Sequence, residues 1–355
     1  MPRADVVVVG AGVMGAAAAW RLGRAGRDVV LLEQFDVGHD HGSSHGAARV
    51  FRFSYDEARY VAMAMEALPL WRRLEEDSGQ ALLTVTGGFD MGSPARLEAH
   101  QEALDARGAV WDLVDGAEVA RRFPGVAPPA DAKILFQPDA GVLAADRALR
   151  AMVQVATARG VELRERTRVS AIRPAGAGVE VVTRKGTWDA NVAVVTAGAW
   201  AKPLLAGARI DLPVTPSRET VAFFPVEAGT ALPVVVEWIE GAGPLYALPS
   251  PEEGLKTGWH HSGVPANPDE RGSVEARVVE RMSAWVSERF PGAHPKPHHA
   301  ETCLYTNTAD ESFILERRGP VVIGSACSGH GFKFAPAVGE RLAQLATGSF
   351  GVRSR

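Results

Sequence analysis

Three glycines near the N-terminus constrain the fold of this chain more than any other feature of its sequence. Gly10, Gly12 and Gly15 form the pattern G-x-G-x-x-G, directly after the valine run Val6–Val9 and before an Ala- and Leu-rich segment, 16–25. The first glycine permits a tight turn, the second lets the backbone approach a pyrophosphate, and the third lets a helix pack closely against a strand. The order of strand, turn and helix therefore predicts a dinucleotide-binding unit.

The second predicted strand, Val29–Leu32, ends at an acidic residue, Glu33. A carboxylate at this place can accept hydrogen bonds from ribose hydroxyls, while the N-terminus of the first helix offers free N–H groups and a partial positive charge to the phosphates. Because Glu33 would repel a 2′-phosphate, the sequence argues against NADP. The motif by itself leaves NAD and FAD open.

Two other Gly-rich segments favour FAD. The segment "VVTAGAW", 194–200, is a strand that runs into a small-residue turn at Gly198, and "SGHGFKFAP", 328–336, is a turn at the start of another predicted helix. At each of them the backbone can approach a cofactor closely. Three such approaches along one chain suit a long, fully buried cofactor.

The length of 355 residues suggests about two domains. The nucleotide-type segments lie at opposite ends of the chain, so we predict an α/β fold with a discontinuous FAD-binding domain of the Rossmann type in residues 1–80, 140–211 and 301–355. A second, more β-rich domain of residues 81–139 and 212–300 is inserted into it. Helices are predicted over 56–78, from Pro94 (behind the N-cap Ser93) to a stop at Gly108, over 144–159 and over 269–290.

Composition excludes several classes of partner. The net charge is −4 and no run of Lys and Arg stands out, so neither nucleic acid nor an anionic membrane surface is expected. The apolar stretch Val6–Trp20 is shorter than the roughly 20 residues of a membrane span and lacks a basic flank, so we expect no signal peptide. The two cysteines, Cys303 and Cys327, suit a reducing cytoplasm, and we expect no disulfide between them.

Four further motifs occur in order along the chain: "GSSHGAARVFR" (42–52), "GLKTGWH" (254–260), "CLYTNTADESF" (303–313) and "SGHGFKF" (328–334). With them the sequence resembles, nearly end to end, monomeric sarcosine oxidase and its relatives N-methyltryptophan oxidase and pipecolate oxidase. The resemblance implies a monomer with a glutathione-reductase-type FAD domain and an antiparallel-sheet substrate domain. It also implies oxidation of a secondary or N-methylated amino acid to an imine, with dioxygen reduced to hydrogen peroxide.

The resemblance gives Cys303 a role. In the family, the cysteine of the C-x-Y-T motif is joined by a thioether to the 8α carbon of the flavin ring, and Cys303 matches it. A thiolate is the required nucleophile, so we expect the polar, turn-rich and electropositive surroundings that its sequence neighbours suggest. Cys327 matches no such residue, and we expect its side chain only to pack against its neighbours.

The resemblance also assigns the charged residues of the site. Arg52 and Lys333 match the cations that hold the substrate carboxylate, a role that needs fixed charges in a site without water. Lys256 matches a lysine over the flavin that promotes its oxidation by dioxygen, since a fixed cation stabilises the superoxide anion. His45 and Arg49 match residues beside the flavin, where they would stabilise the negative charge of its reduced form.

The remaining expected contacts follow the same motifs. His260 and, with a looser match, Tyr246 are expected to line the substrate site. The other residues expected to contact the cofactor are Ser43, Ser44, Val169, Gly198, Gly331 and Phe332, together with Lys333. No residue has the character of a strong general base, and no group of His, Cys and Asp has the spacing of metal ligands.

Two other functions stay open at this point. One is a flavin enzyme with different chemistry, either a dehydrogenase that passes electrons to another acceptor or an oxidase of primary amino acids; Lys256 favours an oxidase over a dehydrogenase. The other is a dinucleotide-binding protein without catalysis. The set of Cys303, Lys256 and Lys333 argues against it, and a yellow colour of the purified protein would distinguish the two.

The substrate side chain is decided by residues of 212–262 that the sequence does not identify.

Overall fold

The computed structural model describes residues 2–348. Its strands are β1 (Arg3–Val9), β2 (Val29–Leu32), β3 (Ala48–Phe51), β4 (Leu83–Val85), β5 (Gly88–Met91), β6 (Asp112–Asp115), β7 (Lys133–Gln137), β8 (Gly141–Ala144), β9 (Glu162–Arg164), β10 (Val169–Ala175), β11 (Gly178–Thr183), β12 (Gly186–Val195), β13 (Thr215–Phe224), β14 (Val234–Glu237), β15 (Leu245–Ser250), β16 (Gly254–Trp259), β17 (Val264–Pro265), β18 (His299–Asn307), β19 (Ile314–Arg318) and β20 (Val321–Ser325). Its α-helices are α1 (Val13–Arg24), α2 (Ala58–Ser78), α3 (Pro94–Asp105), α4 (Gly116–Arg122), α5 (Ala145–Ala158), α6 (Ala201–Ala206), α7 (Ala276–Arg289) and α8 (Ala335–Thr347).

The glycine motif belongs to an eight-stranded sheet. Its five central strands run parallel in the order β9, β2, β1, β12 and β20, and β19 extends the sheet antiparallel to β20. The hairpin of β10 and β11 pairs with the N-terminal half of β12. Parallel strands with helical crossovers are the architecture of dinucleotide-binding α/β folds. The predicted Rossmann-type fold class is confirmed.

The side chains of β1 explain why its sequence is a continuous run of valines. Val6 and Val8 pack with residues of α1, α2, α5 and α8, whereas Val7 and Val9 pack in a second cluster on the opposite face. A strand that is buried on both faces has no polar alternation. On the first face, a Cβ added to Gly339 of α8 would stand 2.6 Å from a backbone carbon of Ala17 in α1, so these two helices pack backbone to backbone.

A second sheet of nine strands lies in the inserted part of the chain. Its strands follow the order β18, β13, β16, β15, β14, β5, β7 and β6, with β17 beside the start of β13. All neighbours are antiparallel except β14 and β5. Helix α7 packs on one face, where Val278, Met282 and Trp285 are buried among apolar side chains of the sheet. This confirms the predicted antiparallel-sheet α+β domain.

Strand β18 changes the interpretation of the segment around Cys303. It pairs with β13 over its whole length, from Asn307 opposite Thr215 to His299 opposite Phe223. The sequence described the segment from Thr302 onward as turn-rich, and for residues 302–307 that description was wrong. Polar side chains suggested a turn, but they also suit this strand, because alternate positions of a strand face different surroundings and one face of this strand lines a cavity. The predicted domain boundaries stay predictions.

The predicted helices are present, with shifted ends. Helix α3 has Ser93 as its N-cap, whose hydroxyl accepts a hydrogen bond from the N–H of Arg96. The helix predicted over 269–290 begins only at Ala276. Residues 269–275 lie outside the helix, and the N–H of Glu275 donates to the hydroxyl of Thr220 on β13 at 3.1 Å. Within residues 2–348, no helix combines the length and the apolar character that a bilayer span requires.

Candidate active site

One cavity of about 1240 Å³ collects almost all of the predicted site residues. Its lining includes Gly10, Gly12, Glu33, Ser43, Ser44, His45, Arg49, Arg52, Val169, Gly198, Tyr246, Lys256, His260, Cys303, Gly331, Phe332 and Lys333. Of the predicted site residues, Gly15 alone does not line the cavity. Residues of both large sheets contribute, and the volume exceeds the roughly 300–1,000 Å³ of an ordinary small-molecule site.

The glycines shape one end of this cavity. Gly10 has φ +96°, a left-handed conformation, and a Cβ there would stand 2.8 Å from the carbonyl oxygen of Thr196. A Cβ on Gly15 would stand 1.8 Å from the carbonyl oxygen of Gly10, so Gly15 acts by letting α1 approach the turn. Helix α1 has Gly12 as its N-cap, which has no side chain to cap the helix, so the N–H groups of this end that remain without a partner can face an anion.

Two side chains fix the turn that contains these glycines. The Glu33 carboxylate is buried and accepts hydrogen bonds from the N–H groups of Ala11 at 2.7 Å and Phe35 at 2.9 Å. The Ser44 hydroxyl accepts from the N–H of Val13 at 3.0 Å. A carboxylate has about four lone-pair positions, so Glu33 retains acceptor capacity toward the cavity. A glycine turn, an open helix end and a buried acid together fit a dinucleotide such as FAD.

The alternation of β16 directs a lysine into the cavity. Leu255 and Thr257 are buried on the α7 side, where the Thr257 hydroxyl donates to the sulfur of Met282, so Lys256 between them faces the opposite way. Tyr246 on the neighbouring strand β15 stands opposite Gly258, and a Cβ on that glycine would lie 2.4 Å from the Tyr246 ring.

Cys303 lies on the same face of this sheet and is 8 % exposed. Burial raises the pKa of its thiol to about 11, against the opposing charges of Arg49 and Lys256. The expected polar, electropositive surroundings are therefore only partly present: two cations are near, but desolvation outweighs them. At neutral pH the thiol of the protein in this state is protonated.

Lys256 is a buried cation, 4 % exposed, whose Nζ has no hydrogen-bond acceptor within reach among residues 2–348. Burial, together with the charge of Arg49, lowers the pKa of Lys256 to about 8. Arg49 donates only to backbone, to the carbonyl oxygens of Ala48, Ser43 and His45. Both side chains therefore present positive charge to the cavity without a carboxylate partner.

His45 differs from the role expected for it. Burial, and then the charges of Arg49 and Lys256, lower the pKa of His45 to about 4, so its imidazole is neutral at pH 7. Its Nε2 is buried and has no partner within the described residues. A buried polar atom without a partner suits a site that a ligand completes. The positive charge at this place comes from Arg49 and Lys256.

Arg52 is already paired. Its guanidinium donates to Asp90 Oδ1 at 3.1 Å and to the carbonyl oxygen of Ser54, and it lies over the rings of Tyr55 and Trp238. Asp90 is buried on β5 and also accepts from Trp238 Nε1 at 3.0 Å. The sequence interpretation missed Asp90, although a carboxylate in an otherwise apolar strand is a signal that a buried cation lies nearby.

Lys333 is buried without a carboxylate. Its Nζ donates to the Tyr55 hydroxyl and to the carbonyl oxygen of His330, each at 2.8 Å, and no carboxylate of residues 2–348 forms an ion pair with it. Burial and the charge of Arg52 place the pKa of Lys333 well below its usual value. Burial also lowers the pKa of His330 to about 3, so that ring is neutral. An anion bound here would stabilise the charged form of Lys333.

The predicted residue His260 has neighbours that the sequence did not indicate. Its Nδ1 lies 3.4 Å from the Tyr305 hydroxyl, and its Nε2 lies 3.7 Å from Glu311. His261 Nε2 lies 3.4 Å from the other oxygen of the same carboxylate. These histidines hold the pKa of Glu311 well below its usual value. Some fifty residues separate Glu311 from the histidines, so local spacing could not reveal this group.

The glycine turn with Glu33 and the buried cations Arg52, Lys256 and Lys333 line the same cavity, and we call the part of it around these cations the chamber. Together they define the class of the protein as a flavin-dependent oxidoreductase. Comparison with known proteins agrees. The family described as FAD dependent oxidoreductase matches residues 5–345, and this chain belongs to it.

Individual relatives match over nearly the full length. Monomeric sarcosine oxidase of Bacillus sp. (strain B-0618) is 34 % identical, over 96 % of this chain and 92 % of its own length. Human (Homo sapiens) peroxisomal sarcosine oxidase is 35 % identical, over 96 % and 91 %. The solved structure of NikD, an unusual amino acid oxidase essential for nikkomycin biosynthesis, superposes with a TM-score of 0.88 at 26 % identity, over 100 % of this chain and 96 % of that one. The resemblance seen in the sequence motifs is confirmed.

Proposed function

We propose that this protein is an FAD-dependent amine oxidase that converts an N-methyl or cyclic secondary amino acid to an imine, with dioxygen as the electron acceptor and hydrogen peroxide as the second product. The observation that carries the proposal is Lys333: an ammonium group, 5 % exposed and without a carboxylate partner among residues 2–348, in the same cavity as the glycine motif. Burying such a charge is costly unless an anion compensates it. An amino-acid carboxylate is such an anion.

Arg52 and Lys333 contribute to carboxylate binding in different ways. Because Asp90 already compensates Arg52, the guanidinium acts mainly through the geometry of its remaining N–H donors. Lys333 contributes the charge. Tyr55 links the two, since its hydroxyl accepts from Lys333 and its ring lies under Arg52. The carboxylate of the substrate is then held at one side of the chamber, with its amine and α-carbon turned toward the residues of β16 and β18.

The bound flavin would accept two electrons from the substrate and pass them to dioxygen. The chain supplies the surroundings for this chemistry. Arg49 and Lys256 place positive charge on the cavity wall where negative charge develops, and the burial of Lys256 keeps that charge effective. No strong general base is near, so we propose that the amine enters in its neutral form.

Cys303 supports a covalent link to the cofactor, as its motif suggests. Its sulfur lines the cavity on the strand next to the one that pairs with Lys256. Burial raises the pKa of its thiol, and the nearby charges of Arg49 and Lys256 oppose that rise and favour the thiolate that the link requires. We further propose that the enzyme works as a monomer in the cytoplasm, as expected from its sequence.

A screen of substrates tests the proposal. Purified protein is supplied in air with N-methyl amino acids, proline, pipecolate and, as matched controls, the primary amino acids with the same side chains, and hydrogen peroxide is measured. We expect peroxide from secondary amines and much less from primary ones. Flavin reduction without peroxide would identify a dehydrogenase, and peroxide from primary amino acids alone would contradict the proposed substrate class.

A further inference from the structure

The cluster of His260, His261 and Glu311 lies in the wall of the cavity and has no part in the proposed chemistry beyond lining the chamber. The two histidines follow directly after β16, and Glu311 lies in the turn between β18 and β19. The carboxylate stands between the rings: one oxygen is 3.7 Å from His260 Nε2 and the other is 3.4 Å from His261 Nε2. The ring centroids of the histidines are 4.1 Å apart.

These distances match those between ligands of one metal ion. With metal–ligand bonds of about 2.0–2.2 Å, two ligand atoms of a tetrahedral zinc site are separated by roughly 3.3–3.6 Å. Both histidine–carboxylate separations are close to that range, and one donor atom from each of the three residues lies within 4.8 Å of the others. Binding of one ion requires these atoms to come somewhat closer, and Glu311, whose side chain is half exposed, has room to move.

The orientation of His260 also suits a metal ligand. Its Nδ1 faces the Tyr305 hydroxyl at 3.4 Å, which leaves Nε2 directed at Glu311. Metal-binding histidines usually have such a partner on the second nitrogen, since it fixes the ring and the tautomer. A Cβ on Gly329 would stand 2.1 Å from the Tyr305 ring and 2.6 Å from the His260 ring, so the glycine permits the close packing of this pair.

The backbone gives an independent indication. His261 has φ +56° and Glu311 has φ +60°, both in the left-handed region that side chains with a Cβ disfavour. The two residues come from different loops, yet each adopts this conformation where the side chains meet. Strain of this kind persists where the surrounding structure requires it and concentrates at functional sites.

We propose that His260, His261 and Glu311 bind a divalent transition-metal ion of the zinc type. Two imidazoles and a carboxylate favour zinc, copper or nickel over magnesium and calcium, which prefer oxygen ligands alone. Three protein ligands leave positions open toward the cavity. The bound ion takes up space in the substrate chamber and attracts carboxylates away from Lys333, so it inhibits. This inhibition rests on the proposed function, whereas the binding does not.

Calorimetric titration of the purified holoprotein, freed of any histidine tag, tests the site directly. ZnCl₂ is titrated into the wild-type protein and the variants His261→Ala and Glu311→Gln, with His294→Ala as the matched control because His294 is an exposed histidine in a distant part of the chain. We expect one saturable site, more than about tenfold weaker binding in the first two variants, and no change in the control. MgCl₂ gives no saturable binding in any of them.

Two results would overturn the proposal. One is the absence of saturable zinc binding to the wild-type protein. The other is binding that His261→Ala and Glu311→Gln both leave unchanged, with flavin content and melting temperature equal to those of the wild type. The inhibition is tested separately: zinc should raise the apparent KM of the wild type reversibly, with recovery by a chelator, and leave His261→Ala unaffected. Zinc that binds without raising KM refutes the inhibitory role alone.

Discussion

At the scale of single residues, the cavity holds two cations whose charges are balanced in different ways. Arg52 pairs with Asp90 at 3.1 Å, whereas within residues 2–348 Lys333 donates only to the neutral oxygen atoms of Tyr55 and His330. A ligand carboxylate therefore gains more from Lys333 than from Arg52. The difference makes the two positions separable by experiment.

The first prediction concerns this pair. We expect Lys333→Ala to weaken the binding of a small carboxylic acid by about 2–5 kcal/mol, since it removes one partner of a desolvated ion pair. Arg52→Ala should weaken it less and also destabilise the fold, because Asp90 is left buried and unpaired. Titrations followed by flavin absorbance measure both, with the exposed Lys296→Ala as control. Unchanged affinity in both variants would refute the carboxylate-binding role and an amino-acid substrate.

The second prediction concerns Lys256. We expect Lys256→Met to slow reoxidation of the reduced enzyme by dioxygen about 10²–10³-fold and to affect anaerobic reduction by substrate much less. Because the lowered pKa of Lys256 is about 8, its positive charge is present below that pH and is lost above it. The reoxidation rate of the wild type should therefore fall as pH rises through about 8, and Lys256→Met should lack this fall. Stopped-flow kinetics of each half-reaction decides; equal slowing of both would assign Lys256 to substrate positioning instead.

The third prediction concerns Cys303. We expect the flavin to remain on the chain after denaturation and to appear as a fluorescent band on a denaturing gel under ultraviolet light. In Cys303→Ala the flavin should be released by denaturation but retained by the folded protein, because the contacts of the glycine turn persist. Cys327→Ala is the matched control, since its sulfur lines the same cavity. Acid-soluble flavin from the wild type would disprove the covalent link.

At the scale of elements, the glycine turn is where α1 meets the sheet, and it yields the fourth prediction. A Cβ at Gly15 would stand 1.8 Å from the carbonyl oxygen of Gly10, so Gly15→Ala should displace the helix. We expect the free energy of unfolding to fall by about 1–3 kcal/mol, as for other overpacked sites, together with loss of tight flavin binding. In Gly207→Ala the added Cβ would find only an ordinary contact at 3.5 Å, so both properties should be kept. Equal behaviour of the two variants would argue against the packing role of Gly15.

Local patterns were sufficient for the elements that carry the cofactor. The valines of β1, the glycine turn and Glu33 lie within thirty residues, and their geometry follows from strand, turn and helix rules alone. The Ser93 N-cap was likewise correct. The description of residues 302–307 as turn-rich was wrong, because whether a polar segment forms a strand along a cavity depends on its pairing with β13, which no local rule gives.

The composition of the site was predictable only where a motif was present. Lys256, Lys333 and Cys303 were placed in the site by their motifs, and the structure brings them to one cavity. Asp90 and Glu311 were not predicted as site residues, because each contacts residues that are distant in sequence. The charge states also required the structure: burial makes His45 neutral and protonates Cys303, and burial cannot be judged from neighbouring residues.

At the scale of the whole molecule, neither sheet forms the site alone. The first sheet supplies the glycine turn and Glu33, the second supplies Lys256 and Cys303, and Lys333 at the start of α8 lies in the cavity that they share. This arrangement brings the glycine turn of the first sheet and the buried cations into one cavity. The central claim is that the protein oxidises secondary amino acids in this chamber.

Anaerobic mixing of the purified yellow protein with a matched pair, an N-methyl amino acid and the primary amino acid of the same side chain, tests that claim most directly. We expect the N-methyl compound to bleach the flavin absorbance and air to restore it, with one equivalent of hydrogen peroxide formed for each flavin. The primary counterpart should bleach it far more slowly. A flavin that no N-methyl or cyclic secondary amino acid can bleach, or that the primary compound bleaches equally fast, would contradict the account.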